Sequence, residues 1–351
     1  VSAAEPSTPA RVDQGLRSCS AATITPPLDL AWRVKAGAEI LGAPVIHGDR
    51  VYVASADAGI RAFGLADGRA VWSYDCGVRS EATPLVLDDI LYCGSDDGTF
   101  HAVDATTGAP RWRFKTGAKI TGAANWFSRD GALFTVVGSH DTLLYCFTAD
   151  SGRLAWTNAS LSYINGAPAI AGNRAVYGGC DAFLRVVDLA NGATLFATNT
   201  GAYIPGSPAF DGTDALVATV GGLVLAVNIV SGAELWRYRA PGGQWFASPA
   251  TDGKVVVIGG HDRAIHCLDR ATGKRRWQVT AGGNIDCTAM IAGDKVVVAS
   301  DDGLVYILNL ADGKEMWRYD IGQPSKGSPA VAKGIMVIAA SDGTVYAFRS
   351  R

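Results

Sequence analysis

Short apolar runs alternate with turns rich in glycine and aspartate along the whole chain, and the alternation repeats eight times. Each copy begins at an aromatic, in order Trp32, Trp72, Trp112, Trp156, Phe196, Trp236, Trp277 and Trp317, at intervals of 40, 40, 44, 40, 40, 41 and 40 residues. Small residues then open a short strand, two further β-runs follow across a turn, and a glycine precedes the next aromatic. A period near forty with several short strands per copy predicts a β-propeller, because one such sheet cannot bury both of its faces alone. The fold class expected is all-β: eight four-stranded antiparallel blades.

The last copy shows how the ring must close. After Trp317, Gly327, Ser328 and Pro329 open an innermost strand, and residues 335–340 and 344–348 read as the second and third. Three strands leave one edge open, and the run 30–35 around Trp32 is the segment able to complete it, since paired edges remove the main liability of β-structure. Residues 29–351 are therefore one propeller. Residues 1–28 begin VSAAEPSTPA, without periodicity, and read as a flexible N-terminal tail or tether.

Composition narrows the partners. Net charge is −2 with 18% charged residues, so no basic field exists for a phosphate backbone and nucleic acid is not an expected partner. No apolar run is long enough to span a membrane as a helix. A monomer is expected, binding a protein partner or a small molecule.

The turns repeat for physical reasons. Aspartate recurs twenty-five residues after the aromatic as Asp57, Asp97, Asp181, Asp302 and Asp342, with Asp141 and Asp262 displaced by insertions upstream. Asp followed by a residue of positive φ suits tight hairpins, so seven carboxylates have a structural reading. The fifth copy departs, with Val220-Gly221-Gly222 at the turn and Phe196 for Trp.

Ala102-Val103-Asp104-Ala105-Thr106-Thr107-Gly108-Ala109-Pro110-Arg111-Trp112 resembles the A-x-D-x-x-T-G-x-x-x-W docking motif of the pyrroloquinoline quinone (PQQ)-like propellers. Weaker copies precede Trp277 (Asp269, Thr272, Gly273) and Trp317 (Asn309, Asp312, Gly313). The resemblance covers residues 30–351. It implies that the eight aromatics wedge between blades as docking residues, and that relatives include quinoprotein alcohol dehydrogenases, the propeller lipoprotein of outer-membrane assembly, and propellers attached to sensor kinases. It also implies an extracytoplasmic setting, periplasmic or secreted. Fold does not choose among these activities.

The residues seven and nine positions after each aromatic should face the axis at the mouth of the innermost strands. At seven stand Glu39, Arg79, Lys119, Tyr163, Tyr203, Gln244 (one later, after an insertion), Asn284 and Pro324. At nine stand Leu41, Glu81, Thr121, Asn165, Pro205, Phe246 (likewise), Asp286 and Lys326. The position between them is mostly apolar and should pack between blades, as strand alternation requires. Convergent polar groups in a concavity make this funnel the candidate ligand site, with Trp245 a candidate floor. The alternative is that the charges pair with one another around water.

Two functions of different class follow. One is a non-enzymatic binding or scaffold propeller using the funnel or the blade-loop face. The other is an enzyme, either a minimal PQQ-dependent alcohol or sugar oxidoreductase with Ca²⁺, or an acid–base catalyst without quinone, in which Glu39, Glu81, Asp286, Arg79, Lys119 and Lys326 would carry the chemistry. The adjacent cysteine pair that many quinoproteins stack on PQQ is not found in this sequence, so no cofactor is expected. Of seven cysteines, Cys93, Cys146, Cys267 and Cys287 read as small core residues, while Cys19, Cys76 and Cys180 are the candidates for a disulfide. His140 and His261 precede turn aspartates, and the histidines form no metal motif.

Overall fold

The structure, a computed structural model, describes the main chain of residues 8–9 and all of residues 14–351. The described residues form eight four-stranded antiparallel blades and no helix, so no helix is long and apolar enough to cross a membrane. Blade 1 runs outward from Val45–His47 through Arg50–Ala54 and Gly59–Gly64 to Ala70–Asp75. Each later blade repeats this order. Blade 8 takes three strands from the C-terminal end, Ala330–Ala332, Ile335–Ala339 and Thr344–Ser350, and its outer strand, Leu28–Lys35, from the N-terminal end. Trp32 lies opposite Ala347 and Lys35 opposite Thr344, so the ring closes through the strand expected from the pattern.

Neighbouring blades are joined by the same contact six times. The indole N–H of Trp32, Trp72, Trp112, Trp156, Trp236 and Trp277 donates to a carbonyl of the following blade, that of Leu65, Ala105, Ala149, Leu189, Arg270 and Leu310, at 2.9 Å in each case. The ring face lies on a glycine of that blade, Gly68, Gly108, Gly152, Gly192, Gly273 and Gly313, where a Cβ would stand only 2.4–2.8 Å from indole carbon. These glycines have positive φ, so both backbone shape and space demand them. Phe196 lacks the N–H and meets Gly232 more loosely, at 3.4 Å, which accounts for the irregular fifth repeat. Within its own sheet each aromatic faces a slimmer residue: Cys146 opposes Trp156 and Cys267 opposes Trp277, where four other blades place alanine opposite the tryptophan. The turn aspartates work as expected, six of the seven accepting the N–H two residues on, as in Asp97 with Thr99 (2.9 Å) and Asp302 with Leu304 (2.8 Å).

The sequence reading of a flexible tail does not hold for residues 14–28. Residues 1–7 and 10–13 of that stretch lie outside the described residues. From Gln14 onward the chain runs as a strap across the inner strands, and its carbonyls accept one N–H after another around the ring: Gln14 from Ile170 (2.7 Å), Gly15 from Phe210 (2.6 Å), Arg17 from Thr251 (2.8 Å), Ser18 from Ile291 (2.9 Å) and Ser20 from Gly293 (3.3 Å). Those donors are equivalent positions of blades 4, 5, 6 and 7 and then a second site on blade 7. Leu16, Ile24 and Leu28 are buried beneath, and Cys19–Ser20 pairs in parallel with Ile291–Ala292. The contacts are made by main-chain atoms, which leave no signature in composition.

Two expectations test this architecture. Trp112→Ala should lower unfolding free energy by about 3–5 kcal/mol, measured by denaturant titration; a loss under about 1 kcal/mol would remove the docking contact from its central role. Truncation through Ser20 should lower the melting temperature clearly, since each lost main-chain bond is worth roughly 0.5–1.5 kcal/mol; an unchanged melting curve would mean that the strap is not held.

Candidate functional site

Strand alternation divides the inner-strand residues cleanly. The intervening positions Ile40, Ser80, Ile120, Ile164, Ile204, Trp245, Ile285 and Ser325 are at most 1% exposed, while the residues flanking them are half-buried or exposed around the axis. Trp245 therefore corrects one assignment. It is wholly buried between blades and stacks edge-on against His266 at 5.1 Å, because the insertion before it shifts it to the position facing the blade interior.

A second ring, missed in the sequence, meets the first. In every blade the residue before the turn aspartate, or its counterpart in blade 5, donates its main-chain N–H to the carbonyl of the residue seven after the aromatic: Ala56 to Glu39, Asp96 to Arg79, His140 to Lys119, Cys180 to Tyr163, Val220 to Tyr203, His261 to Gln244, Asp301 to Asn284 and Ser341 to Pro324. Their side chains thus join the funnel. The eightfold equivalence at one offset was the available signal, but that offset crosses a hairpin, so linear spacing does not reveal the contact.

The charged groups converge in two clusters. Arg79 holds Glu39 at 2.9 Å and Glu81 at 2.8 Å, with Asp96 at 3.9 Å. Across the ring, Asp286 takes His261 at 2.5 Å and Lys326 at 3.5 Å. His140 bonds Thr121 at 3.1 Å and stacks on Tyr163 at 4.9 Å between ring centres; burial first, then Lys119, holds its pKa below the usual histidine value. Asn165 donates to the Cys180 sulfur at 3.1 Å, and Phe246 stacks on His261 at 4.5 Å. Asp301 is different: its Oδ1 is buried without a partner, and burial, reinforced by the nearby Asp286 charge, raises its pKa.

Apolar surface lies on the other side. Among the described residues, eight of ten exposed large hydrophobic side chains fall between Leu154 and Phe246: Leu154, Leu161, Tyr163, Leu195, Tyr203, Val230, Leu235 and Phe246. Leu161, Tyr163, Tyr203 and Phe246 stand on the loops that enter blades 4 to 6 at the funnel mouth. The face is consequently two-sided, charged across blades 7, 8, 1 and 2 and apolar across blades 4 to 6.

Below the mouth, small residues eleven positions after the aromatic seal the blades to one another. Where the next blade offers a hydroxyl, the N–H of the preceding blade donates to it: Ala43 to Thr83, Ala167 to Ser207, Ser207 to Ser248, Ser248 to Thr288 and Thr288 to Ser328, at 2.8–3.3 Å. They surround a cavity of about 270 Å³ whose floor includes Leu16 of the strap.

The funnel residues do not compose a quinone cradle. Glu39 and Glu81 both bind one arginine, Asp286 binds a lysine and a histidine, and the indole of Trp245 is buried. Among the described residues no group of three His, Cys, Asp or Glu side chains is placed to hold a metal ion. Of the disulfide candidates, Cys76 and Cys180 are not joined to each other: Cys76 is packed by Trp72 and Cys180 lies in the funnel. Burial pushes the thiols of Cys93, Cys146, Cys267 and Cys287 up to about 12, consistent with core roles.

A family profile described as outer membrane protein assembly factor BamB matches residues 29–132, 96–197, 181–291 and 261–351. The chain belongs to that family. BamB of Bordetella pertussis is 24% identical over 264 residues, 72% of this chain and 58% of that protein; BamB of Marinobacter adhaerens is 37% identical over 79 residues, 22% of this chain and 20% of that protein. The chain thus spans well under two thirds of these relatives. Among solved structures it is similar to BamB from Moraxella catarrhalis (TM-score 0.76, 19% identity, 92% of this chain and 98% of that one). It is also similar to the computationally designed Ika8 protein (0.81, 19%, 91% and 99%) and to a quinohemoprotein alcohol dehydrogenase of Pseudomonas putida (0.77, 12%, 97% and 80%). At such identities the likeness is one of fold. An assembly factor, a dehydrogenase and a designed ring share it, so the BamB family chain must be read by its site.

The raised pKa of Asp301 gives a signed expectation. Ionising a group whose folded pKa lies above its unfolded value costs stability, and that cost is absent below the unfolded pKa and grows as pH rises through the folded one. Asp301→Asn should therefore raise the melting temperature at pH 7, with the gain vanishing toward pH values under the ordinary carboxylate pKa of 3.8. A loss of stability at neutral pH in a thermal-shift series would show that the charge is compensated.

Proposed function

We propose that this protein is a non-enzymatic scaffold of outer-membrane protein assembly, acting outside the cytoplasm and docking a partner polypeptide across the apolar sector of blades 4 to 6. The concentration of exposed Leu161, Tyr163, Tyr203 and Phe246 on one arc of the mouth carries this reading. Contiguous exposed apolar surface of that kind is retained for binding, and aromatic side chains are the usual anchors of protein interfaces. The family description supports the setting. The charged arc supports it indirectly, since its acids and bases are already paired and serve to hold the mouth in shape and bias the orientation of an incoming partner.

The reading is tested by placing a photo-crosslinking residue at position 203 in cells that depend on the protein, and by the double variant Tyr163→Ala/Tyr203→Ala. Crosslinks to an envelope protein and loss of function at an unchanged melting temperature are expected. Full function of the double variant, with crosslinks arising instead from the blade 7, 8, 1 and 2 arc, would overturn it.

A further inference from the structure

The axial cavity beneath the mouth has chemistry that the apolar sector does not use. Thr83, Ser248, Thr288 and Ser328 line it, and each hydroxyl oxygen already accepts a main-chain N–H from the preceding blade, from Ala43 at 2.8 Å, Ser207 at 2.9 Å, Ser248 at 3.3 Å and Thr288 at 3.0 Å. A hydroxyl that accepts in this way keeps its proton for another acceptor. The belt is thus a set of fixed donors, held by the backbone of the ring and turned toward one enclosed space.

Charge selects the class of ligand. The formal charges on the lining are Asp286 and Lys326, 3.5 Å apart, and they cancel. An anion would compete with Asp286 for Lys326, and a cation would meet Lys326, so neither gains from the walls. A neutral molecule carrying both hydroxyl donors and acceptors matches them: its oxygens accept from the belt while its hydroxyl protons reach the Asp286 carboxylate. Trp126 and Phe246 also line the space and offer the flat apolar faces on which a saturated ring can rest. Leu16 lies on the floor and the space opens at the mouth, and about 270 Å³ is room for one such ring.

We propose that the axial cavity is a binding site for a neutral monosaccharide-sized polyol, a free sugar or the terminal residue of a glycan. The protein uses its hydroxyl belt to donate, Asp286 to accept, and the two aromatic faces to stack. This site does not require the docked partner, although Phe246 borders both.

The experiment is calorimetric titration of the full chain with glucose, galactose, N-acetylglucosamine and myo-inositol, and with acetate and phosphate at matched ionic strength. At least one of the four polyols should bind one to one with a dissociation constant at or below about 1 mM. Asp286→Asn, which changes a group at the cavity mouth, should weaken that binding at least tenfold while leaving crosslinking from position 203 intact. Thr288→Val should weaken it too, with its fold checked by thermal melting because Thr288 also ties blade 6 to blade 7. Absence of binding by all four polyols, preferential binding of acetate or phosphate, or an affinity unmoved by Asp286→Asn would each overturn the assignment.

Discussion

One contact sets the geometry of everything else: a tryptophan of one blade lying on a left-handed glycine of the next, with its N–H on a carbonyl of that same turn. Ring face and hydrogen bond together fix separation and rotation between neighbouring sheets, because the glycine leaves no slack for the indole and the carbonyl leaves no choice of tilt. Repeated around the ring, this constraint decides how far the inner strands stand from the axis. The axial rings at seven, nine and eleven residues after the aromatic are therefore consequences of docking at the perimeter. Phe196 shows the converse. Without the N–H, and with a looser glycine contact, the seam between blades 4 and 5 lacks the docking bond and relies on others, such as Arg174 on the Ile229 carbonyl at 2.7 Å, and it lies in the sector where exposed apolar side chains collect.

Around the axis the division of labour follows from what each position can satisfy. Charged residues at the mouth share partners, as Glu39, Glu81 and Asp96 share Arg79, so the acids on that arc outnumber the base that holds them. Apolar residues on the opposite arc stay exposed, even where Tyr163 and Phe246 each stack one face on a histidine. Underneath, hydroxyls replace side-chain packing with bonds from blade to blade. Asp301 breaks the pattern, since its carboxyl is pressed toward Asp286 without a donor for its buried oxygen, and it is the position where the ring holds unrelieved electrostatic cost.

The period, the docking aromatics, the turn aspartates and the closing strand could be read in the sequence because each is a side-chain choice repeated at a fixed offset. The ring at seven and nine was visible for the same reason, through the alternation around Ile40, Ile120 and Ile285. Trp245 was a candidate floor only as an aromatic near the mouth; its register between Gln244 and Phe246 already puts it on the opposite face of the strand, where it is buried. His140 and His261 looked like turn residues, and they are, but the hairpin folds them back on the funnel. The strap was invisible. Its bonds come from carbonyls, which every residue possesses, and its small polar composition is that of a linker.

The strap also explains why residues 14–28 adopt costly shapes. Leu16 and Ser18 have φ of 53° and 51°, a left-handed conformation that disfavours side chains by roughly 1–2 kcal/mol per residue. Leu16 stands between the accepting carbonyls of Gly15 and Arg17, and Ser18 itself accepts from Ile291, so the carbonyls reach blades 5, 6 and 7 while Leu16 lines the cavity floor. The same strand of chain continues into Leu28–Lys35, which completes blade 8. Closure of the ring and the floor of its axis are thus made by one continuous segment, with Leu16 under the cavity and Trp32 opposite Ala347 in blade 8.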